Sequence, residues 1–326
     1  MTTVTGAPGA SARPAGRPRV AVVGLGDVSV VHLAAIEKLG ATLAGVCDSR
    51  GDYRALLDDV RPDVVHICTP HDRHVQVALA ALDRGVHVLL EKPVANTIEQ
   101  ADLLVAAAKD HPTLKVGVCL QNRYNLTSRA VHEMLASGEL GRVRGASASV
   151  LWHRDAAYYA ARPWRGVRER SGGGVLINQA IHTLDLVQWL LGDVITVRGH
   201  AGQYGGVSGD VEDTAHMVLD HVGGARSVFF ATTTNAVDSP VTIEITAEHG
   251  TLTVRGDLTV AHSDGRAETI AEPAPEGGGR AYWGASHELL IADFYRSLDD
   301  PEPFWIGLEE ALKSQHLIDA IYRQHI

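Results

Sequence analysis

Basic charge, long apolar runs and cysteine are all scarce in this chain of 326 residues. Lys+Arg 29 against Asp+Glu 39 leaves a net charge of −10, so the basic patch that nucleic-acid binding requires is not expected. No run of about 18 apolar residues occurs, which argues against a membrane-spanning helix. The N-terminus has no apolar core of the kind a signal peptide needs, so none is expected. Three cysteines, Cys47, Cys68 and Cys119, each stand in an apolar, strand-like stretch. They read as buried free thiols in a reducing, cytoplasmic compartment rather than as a disulfide scaffold. Lysine is rare as well: only Lys38, Lys92, Lys109, Lys115 and Lys313 occur.

What remains is 45% hydrophobic and 21% charged, a composition for soluble globular packing, and the length suits about two domains. Residues 1–17 are rich in Gly, Ala, Pro, Ser and Thr and cannot bury enough surface to offset their ordering entropy, so a disordered tail is expected there. From Arg19 onward, short apolar runs alternate with helical patterns. Val20–Val23, Ala41–Cys47, Val64–Cys68, Val86–Leu90 and Lys115–Leu120 read as strands buried on both faces, hence a parallel, doubly wound sheet over 18–125. Beyond about residue 140 the rhythm changes. Val143–Trp152, Thr196–Gln203, Thr214–Leu219, Ala225–Thr233, Val241–Ala247, Thr251–Val254 and Leu258–Ala261 read as strands, several alternating with period 2 (Val241, Ile243, Ile245 inward). The spacing predicts a half-buried, mainly antiparallel sheet in a second domain over 126–326. Helices are expected at Val175–Leu191, Ser286–Leu298 and Leu308–Gln324, with a loop at Glu272–Arg280.

Gly24-Leu25-Gly26-Asp27-Val28-Ser29 lies between the first strand and its helix, the context of a dinucleotide fingerprint. Gly24 permits the tight turn, Gly26 lets backbone approach a pyrophosphate at the helix N-terminus, and Ser29 stands at the usual third glycine. Asp48 ends the second strand, placed to accept hydrogen bonds from an adenosine ribose, which favours NAD; Ser49 and Arg50 beside it leave NADP open. Thr69-Pro70 ends the third strand at the carboxyl edge of the sheet, where ligands bind in such folds. His71 and His74 lack Cys, Asp or Glu companions, so no metal is expected, and both read as residues facing the cofactor.

Lys92 follows an apolar strand within Glu91-Lys92-Pro93, at the same carboxyl edge, where burial opposes its charge unless an oxygen compensates. The stretch Gly172–Asp185 places three glycines before an apolar helix on which Asn178, His182 and Asp185 share one face. On spacing alone, a core histidine satisfied by Asp185 stays open beside a catalytic one.

With these residues the chain resembles the Gfo/Idh/MocA family (glucose–fructose oxidoreductase and inositol dehydrogenase). The matching motifs are Gly24-Leu25-Gly26, Thr69-Pro70 with His74, Glu91-Lys92-Pro93, Trp164-Arg165, the Gly172–Asp185 helix and His287 with Asp293-Phe294. The resemblance implies an α/β Rossmann domain followed by an α+β domain with a large open, mainly antiparallel sheet. It implies an NAD(P)-dependent oxidoreductase of sugars, sugar derivatives or cyclitols, assembled as a homodimer or homotetramer through the second sheet. His182 is then the acid/base, Lys92 polarises the reacting oxygen, Asn178 orients the substrate and Asp185 holds the imidazole tautomer. Arg123, Tyr124, Trp164 and Arg165 are expected on the pocket wall. Two departures stand out. Asn178 occupies a position where the family usually has Asp. Only fifteen residues separate Asp48 from Val64, so the usual edge strand is expected to be shortened or lost. Related folds also include non-catalytic dinucleotide-binding regulators and NAD-assisted glycosidases; the Lys92/His182 pair argues for turnover.

Overall fold

The structure is a computed structural model that describes residues 17–273 and 286–324. The expected N-terminal tail, apart from Arg17, and most of the expected loop at Glu272–Arg280 lie outside the described residues.

The first apolar runs form strands β1 (Arg19–Val23), β2 (Thr42–Cys47), β3 (Val64–Ile67), β4 (His87–Leu90) and β5 (Val116–Val118). All pair in parallel, in the order β2-β1-β3-β4-β5. Helices α1 (Ser29–Lys38), α2 (Tyr53–Val60), α3 (His74–Leu82) and α4 (Ile98–Asp110) connect them. Two of these begin at side-chain caps: Asp52 accepts from the Arg54 and Ala55 amides, and Thr97 from that of Gln100. β1 and β3 are buried almost throughout, whereas β2 buries only Cys47 fully. That difference follows from topology, because among the described residues no strand pairs outside β2. The short Asp48–Val64 connection thus leaves β2 as the sheet edge, as expected.

The second sheet has eight strands: β6 (Val143–Leu151), β7 (Val194–Gly202), β8 (Thr214–His221), β9 (Arg226–Thr232), β10 (Thr242–Ala247), β11 (Gly250–Arg255), β12 (Asp257–His262) and β13 (Ala267–Ile270). Their order is β13-β12-β11-β10-β6-β9-β8-β7. Every pairing is antiparallel except β6 with β9, which is parallel. Ile243 and Ile245 turn inward and Glu244 and Thr246 outward, as the period-2 pattern requires. The inward side packs on helix α8 (Ile181–Leu191), whose Leu184 and Val187 share a core with Met217, Phe229, Ile243 and Leu252.

Sequence periodicity did not reveal α5 (Leu126–Ser137), the short α6 (Ala156–Ala161) and α7 (Arg168–Ser171), or strand β13. The last two helices, α9 (Ser286–Arg296) and α10 (Leu308–Arg323), return to the first core. Leu290, Ile291 and Phe294 of α9 and Leu308, Ala311 and Leu312 of α10 pack with the parallel sheet, while Leu317, Ile318 and Ile321 of α10 pack with the second sheet. The two layers therefore share one helix, and a cleft of about 1100 Å³ opens between them.

Candidate active site

The cleft begins at the turn after β1. Gly24 has φ +96°, and a Cβ there would sit 2.5 Å from the Cys68 carbonyl, so only glycine fits. Its N–H donates to the Cys47 carbonyl (2.8 Å), tying the turn to β2. A Cβ on Gly26, by contrast, would meet nothing within 4 Å. Open space therefore faces the turn in front of the α1 N-terminus, where no side chain caps the helix. Ser29, 3% exposed, donates its hydroxyl proton back to the Gly26 carbonyl (2.7 Å) and packs where a third glycine would stand.

Further along, the Thr69 hydroxyl is buried without a partner at the carboxyl end of β3, and Pro70 lines the cleft beside it. The glycine cradle and the orphaned hydroxyl both fit a dinucleotide. Asp48 and Ser49 line the same cleft; Arg50 does not. Arg50 folds back instead, donating to the Asp48 carboxylate through its amide (2.9 Å), Nε (3.0 Å) and Nη2 (2.7 Å). These hydrogen bonds from Arg50 hold the Asp48 carboxyl below the usual range.

Asp27 and Val28 also face the cleft, and Asp27 reaches across it to Arg162 (2.9 Å) and Arg165 (3.0 Å). Burial acts to raise its pKa, but these two guanidinium groups prevail and keep it low. Arg165 also lies over the Tyr158 ring at 4.4 Å, and the Trp164 ring meets His71 edge-on at 4.8 Å. Trp164 and Arg165 both line the cleft.

Lys92 enters from β4. Its Nζ donates to the backbone carbonyl of Asn178 (2.7 Å), joining the first sheet to the helical segment of the second layer. Burial lowers the Lys92 pKa to about 8; Glu91 opposes this, and Arg165 adds to it. His182 lines the same cleft as Lys92 and Asn178. Burial and then the Lys92 charge push its imidazole well below the usual histidine range, so it is neutral near pH 7. Its Nδ1 is buried and has no protein partner.

The helical run over Val175–Leu191 is not regular. Leu176–Ala180 forms a π-turn, with Asn178 at its centre, before α8 continues. Its N-terminus is seated by Glu212, which accepts from the Gly174 (2.8 Å) and Leu176 (3.0 Å) amides and from the Tyr322 hydroxyl (2.7 Å). A Cβ on Gly174 would collide with the Glu212 carbonyl, which explains the third glycine of that motif.

Four expectations are corrected. Asp185 does not hold His182: it forms a bidentate pair with Arg123 (2.6 and 2.8 Å), with both side chains 2% exposed. Arg123 is consequently absent from the cleft wall and also pairs with Glu310 (2.9 Å). Tyr124 donates its hydroxyl to Asp293 (2.6 Å) and lines a separate surface hollow with Trp189 and Trp305. His74 does not reach the cleft either. Its ring nitrogens meet the Thr69 and Pro93 carbonyls (3.0 and 2.8 Å), so it braces the two strand ends from behind.

Two further cleft residues carried no local signal. Gln121 and Gln179 are buried cleft residues, and each has an amide oxygen without a partner. Glu91 turns its carboxylate inward, where Oε1 meets His32 Nε2 (3.0 Å) and His287 Nε2 (3.3 Å). These three donor atoms lie within 4.8 Å of one another, as metal ligands would. Hydrogen bonding already accounts for the arrangement, since both ring nitrogens of His32 are engaged, with Glu91 and with His66.

Comparison with known proteins agrees with this geometry. Residues 18–118 match the oxidoreductase family with an NAD-binding Rossmann fold, and residues 128–253 match the GFO/IDH/MocA C-terminal domain. Levoglucosan dehydrogenase of Pseudarthrobacter phenanthrenivorans is 26% identical over 253 residues, 69% of this chain and 64% of that protein. D-glucoside 3-dehydrogenase of Escherichia coli is 33% identical over 213 residues, 57% of this chain and 58% of that protein. The matched region thus spans less than two thirds of either relative. The WlbA dehydrogenase of Bordetella pertussis, solved with NADH and UDP-GlcNAcA, superposes with a TM-score of 0.76 at 28% identity, covering 94% of this chain and 96% of that one. With a glycine turn after β1, a lysine after β4 and an open mixed sheet in the second layer, the chain belongs to the GFO/IDH/MocA oxidoreductase family.

Proposed function

We propose that this protein is an NAD-dependent dehydrogenase acting on a CH–OH group of a sugar, sugar derivative or cyclitol. The observation that carries this reading is the meeting of Lys92, from the parallel sheet, with Asn178 and His182, from the second layer, inside the cleft that holds the glycine turn. The names of the relatives, which act on levoglucosan and D-glucosides, point to the same substrate class.

Bound NAD supplies the acceptor for hydride; the protein supplies positions and proton handling. Gly24 permits the turn, Gly26 leaves room for the pyrophosphate, and Asp48 offers oxygens to the ribose. An ammonium group has three N–H donors, and one of those on Lys92 is occupied by the Asn178 carbonyl. The other two serve the substrate oxygen, whose negative charge grows as its proton leaves. His182, neutral near pH 7, takes that proton and returns it in the reverse direction. The Asn178 amide orients the substrate but carries no charge. Trp164 and Arg165 close the site from the second layer.

The test is a panel of polyols and sugars with NAD, followed at 340 nm. Lys92→Ala and His182→Ala are expected to lose about two orders of magnitude in turnover while keeping NAD affinity. Wild-type rates in both variants with every accepted substrate would overturn the assignment. We also propose that the outward face of the eight-stranded sheet joins copies of the chain. Val228 and Phe230 of β9 point away from α8 and remain 52% and 39% exposed.

A further inference from the structure

Behind Lys92 runs a buried line of polar side chains that the reaction itself does not use. Tyr295 Oη meets His66 Nε2 (3.0 Å), His66 Nδ1 meets His32 Nδ1 (3.0 Å), and His32 Nε2 meets Glu91 Oε1 (3.0 Å). His32 and His66 are 0% exposed, Tyr295 5% and Glu91 6%. Each contact needs one proton between its two atoms, and this restricts the assignments. An ionised Glu91 can only accept, so His32 Nε2 carries a proton. A neutral His32 then has a bare Nδ1, which must accept from His66 Nδ1–H. His66 Nε2 is left bare and accepts the Tyr295 O–H. All three donors point the same way, toward the carboxylate.

We propose that Glu91 is a positioning residue for Lys92: its carboxylate, fixed by the His32 ring at the end of this line and by His287, holds a negative charge beside the Lys92 ammonium. The surroundings agree. Burial works to protonate Glu91, but His287 and His32 overcome it and keep the carboxyl well below the usual range. Burial keeps His66 and His32 neutral. The thiols of Cys68 and Cys119, which also face Glu91, are pushed up by burial and by its charge, so they stay protonated. Facing Lys92 are Glu91, the Asn178 carbonyl and the cation Arg165, with His71, His74 and His182, whose basicity burial lowers, around it. Glu91 is the one carboxylate among these groups. Without it, the Asn178 carbonyl alone among these groups opposes burial and Arg165, and the ammonium loses its proton at lower pH.

The kinetic consequence rests on the function proposed above, but the direct test does not. In the full chain, acylation of Lys92 by an amine-reactive reagent is followed against pH by peptide mass spectrometry, with exposed Lys38 and Lys109 as internal references. Wild type is expected to show a midpoint near 8. Glu91→Gln should lower it by about one pH unit or more, and Glu91→Asp should fall between the two. Tyr295→Phe, which removes the far donor and no charge, should leave it in place. An unmoved midpoint in folded Glu91→Gln with intact NAD affinity would overturn the inference. So would a Tyr295→Phe shift as large as that of Glu91→Gln, which would mark a packing effect. Should Glu91→Gln fail to fold, Glu91→Asp decides by the same midpoint. Where turnover is measurable, the alkaline limb of kcat should move to lower pH with the acylation midpoint. A chain that shows the shift but oxidises no polyol would sink the proposed function and leave the role of Glu91 standing.

Discussion

A single missing Cβ separates two adjacent roles in the glycine turn. A methyl group at residue 24 collides with the Cys68 carbonyl, whereas at residue 26 it enters open space. Gly24→Ala is therefore expected to lower both the melting temperature and NAD affinity. Gly26→Ala should keep the melting temperature and lose at least about tenfold in affinity, because only the incoming pyrophosphate meets the new methyl. Calorimetry of both variants separates the two effects. At Lys92 the prediction concerns pH. The unfolded lysine releases its proton near 10.5 and the folded one near 8, so between these values the unfolded chain holds more protons. The contribution of this group to stability therefore rises with pH across that window. Lys92→Met should remove that rise, which a series of melting curves from pH 7 to 10 checks. Lys92 was legible from sequence because a charged residue ends an apolar strand. The partner of Asp185 was not. Arg123 lies 62 residues earlier, and helical spacing offered the nearer but wrong His182.

Among elements, apolar runs and period-2 alternation were enough to place twelve of the parallel and antiparallel strands within a residue or two, because burial acts directly on those positions. The π-turn at Leu176–Ala180 left no such trace, since Asn178 and His182 keep plausible helical spacing either way. Helix α5 escaped notice because its apolar face is interrupted by charge, and α6 because six residues of alanine and tyrosine are too short to show a period. The Arg123–Asp185 pair joins α8 to the turn after β5, and breaking it leaves the buried guanidinium with the half-buried Glu310 carboxylate as its remaining ion-pair partner. Asp185→Asn is thus expected to destabilise the fold by about 3 kcal/mol. The pH profile of turnover per folded molecule should stay where it was, because Asp185 does not touch His182. Denaturant titration together with a pH–rate profile tests both halves of that statement.

On the scale of the whole molecule, the net charge of −10 keeps separate copies apart unless an apolar surface joins them. Phe230→Asp on the outward sheet face is expected to reduce the assembly to a smaller species without altering the melting of the protomer core, as light scattering after gel filtration would show. A wild-type chain that is monomeric at high concentration would refute the sheet-face interface. Helix α10 has a different consequence. Its first turns are buried against the parallel sheet and its last turns against the antiparallel one. Cutting the gene between the two layers would therefore yield two insoluble fragments rather than two working modules, and heating the intact chain should give one cooperative transition. A rod seated in both cores is expected to restrain any swing of the halves, so that a substrate diffuses in through the cleft mouth instead of being swallowed by a closing jaw.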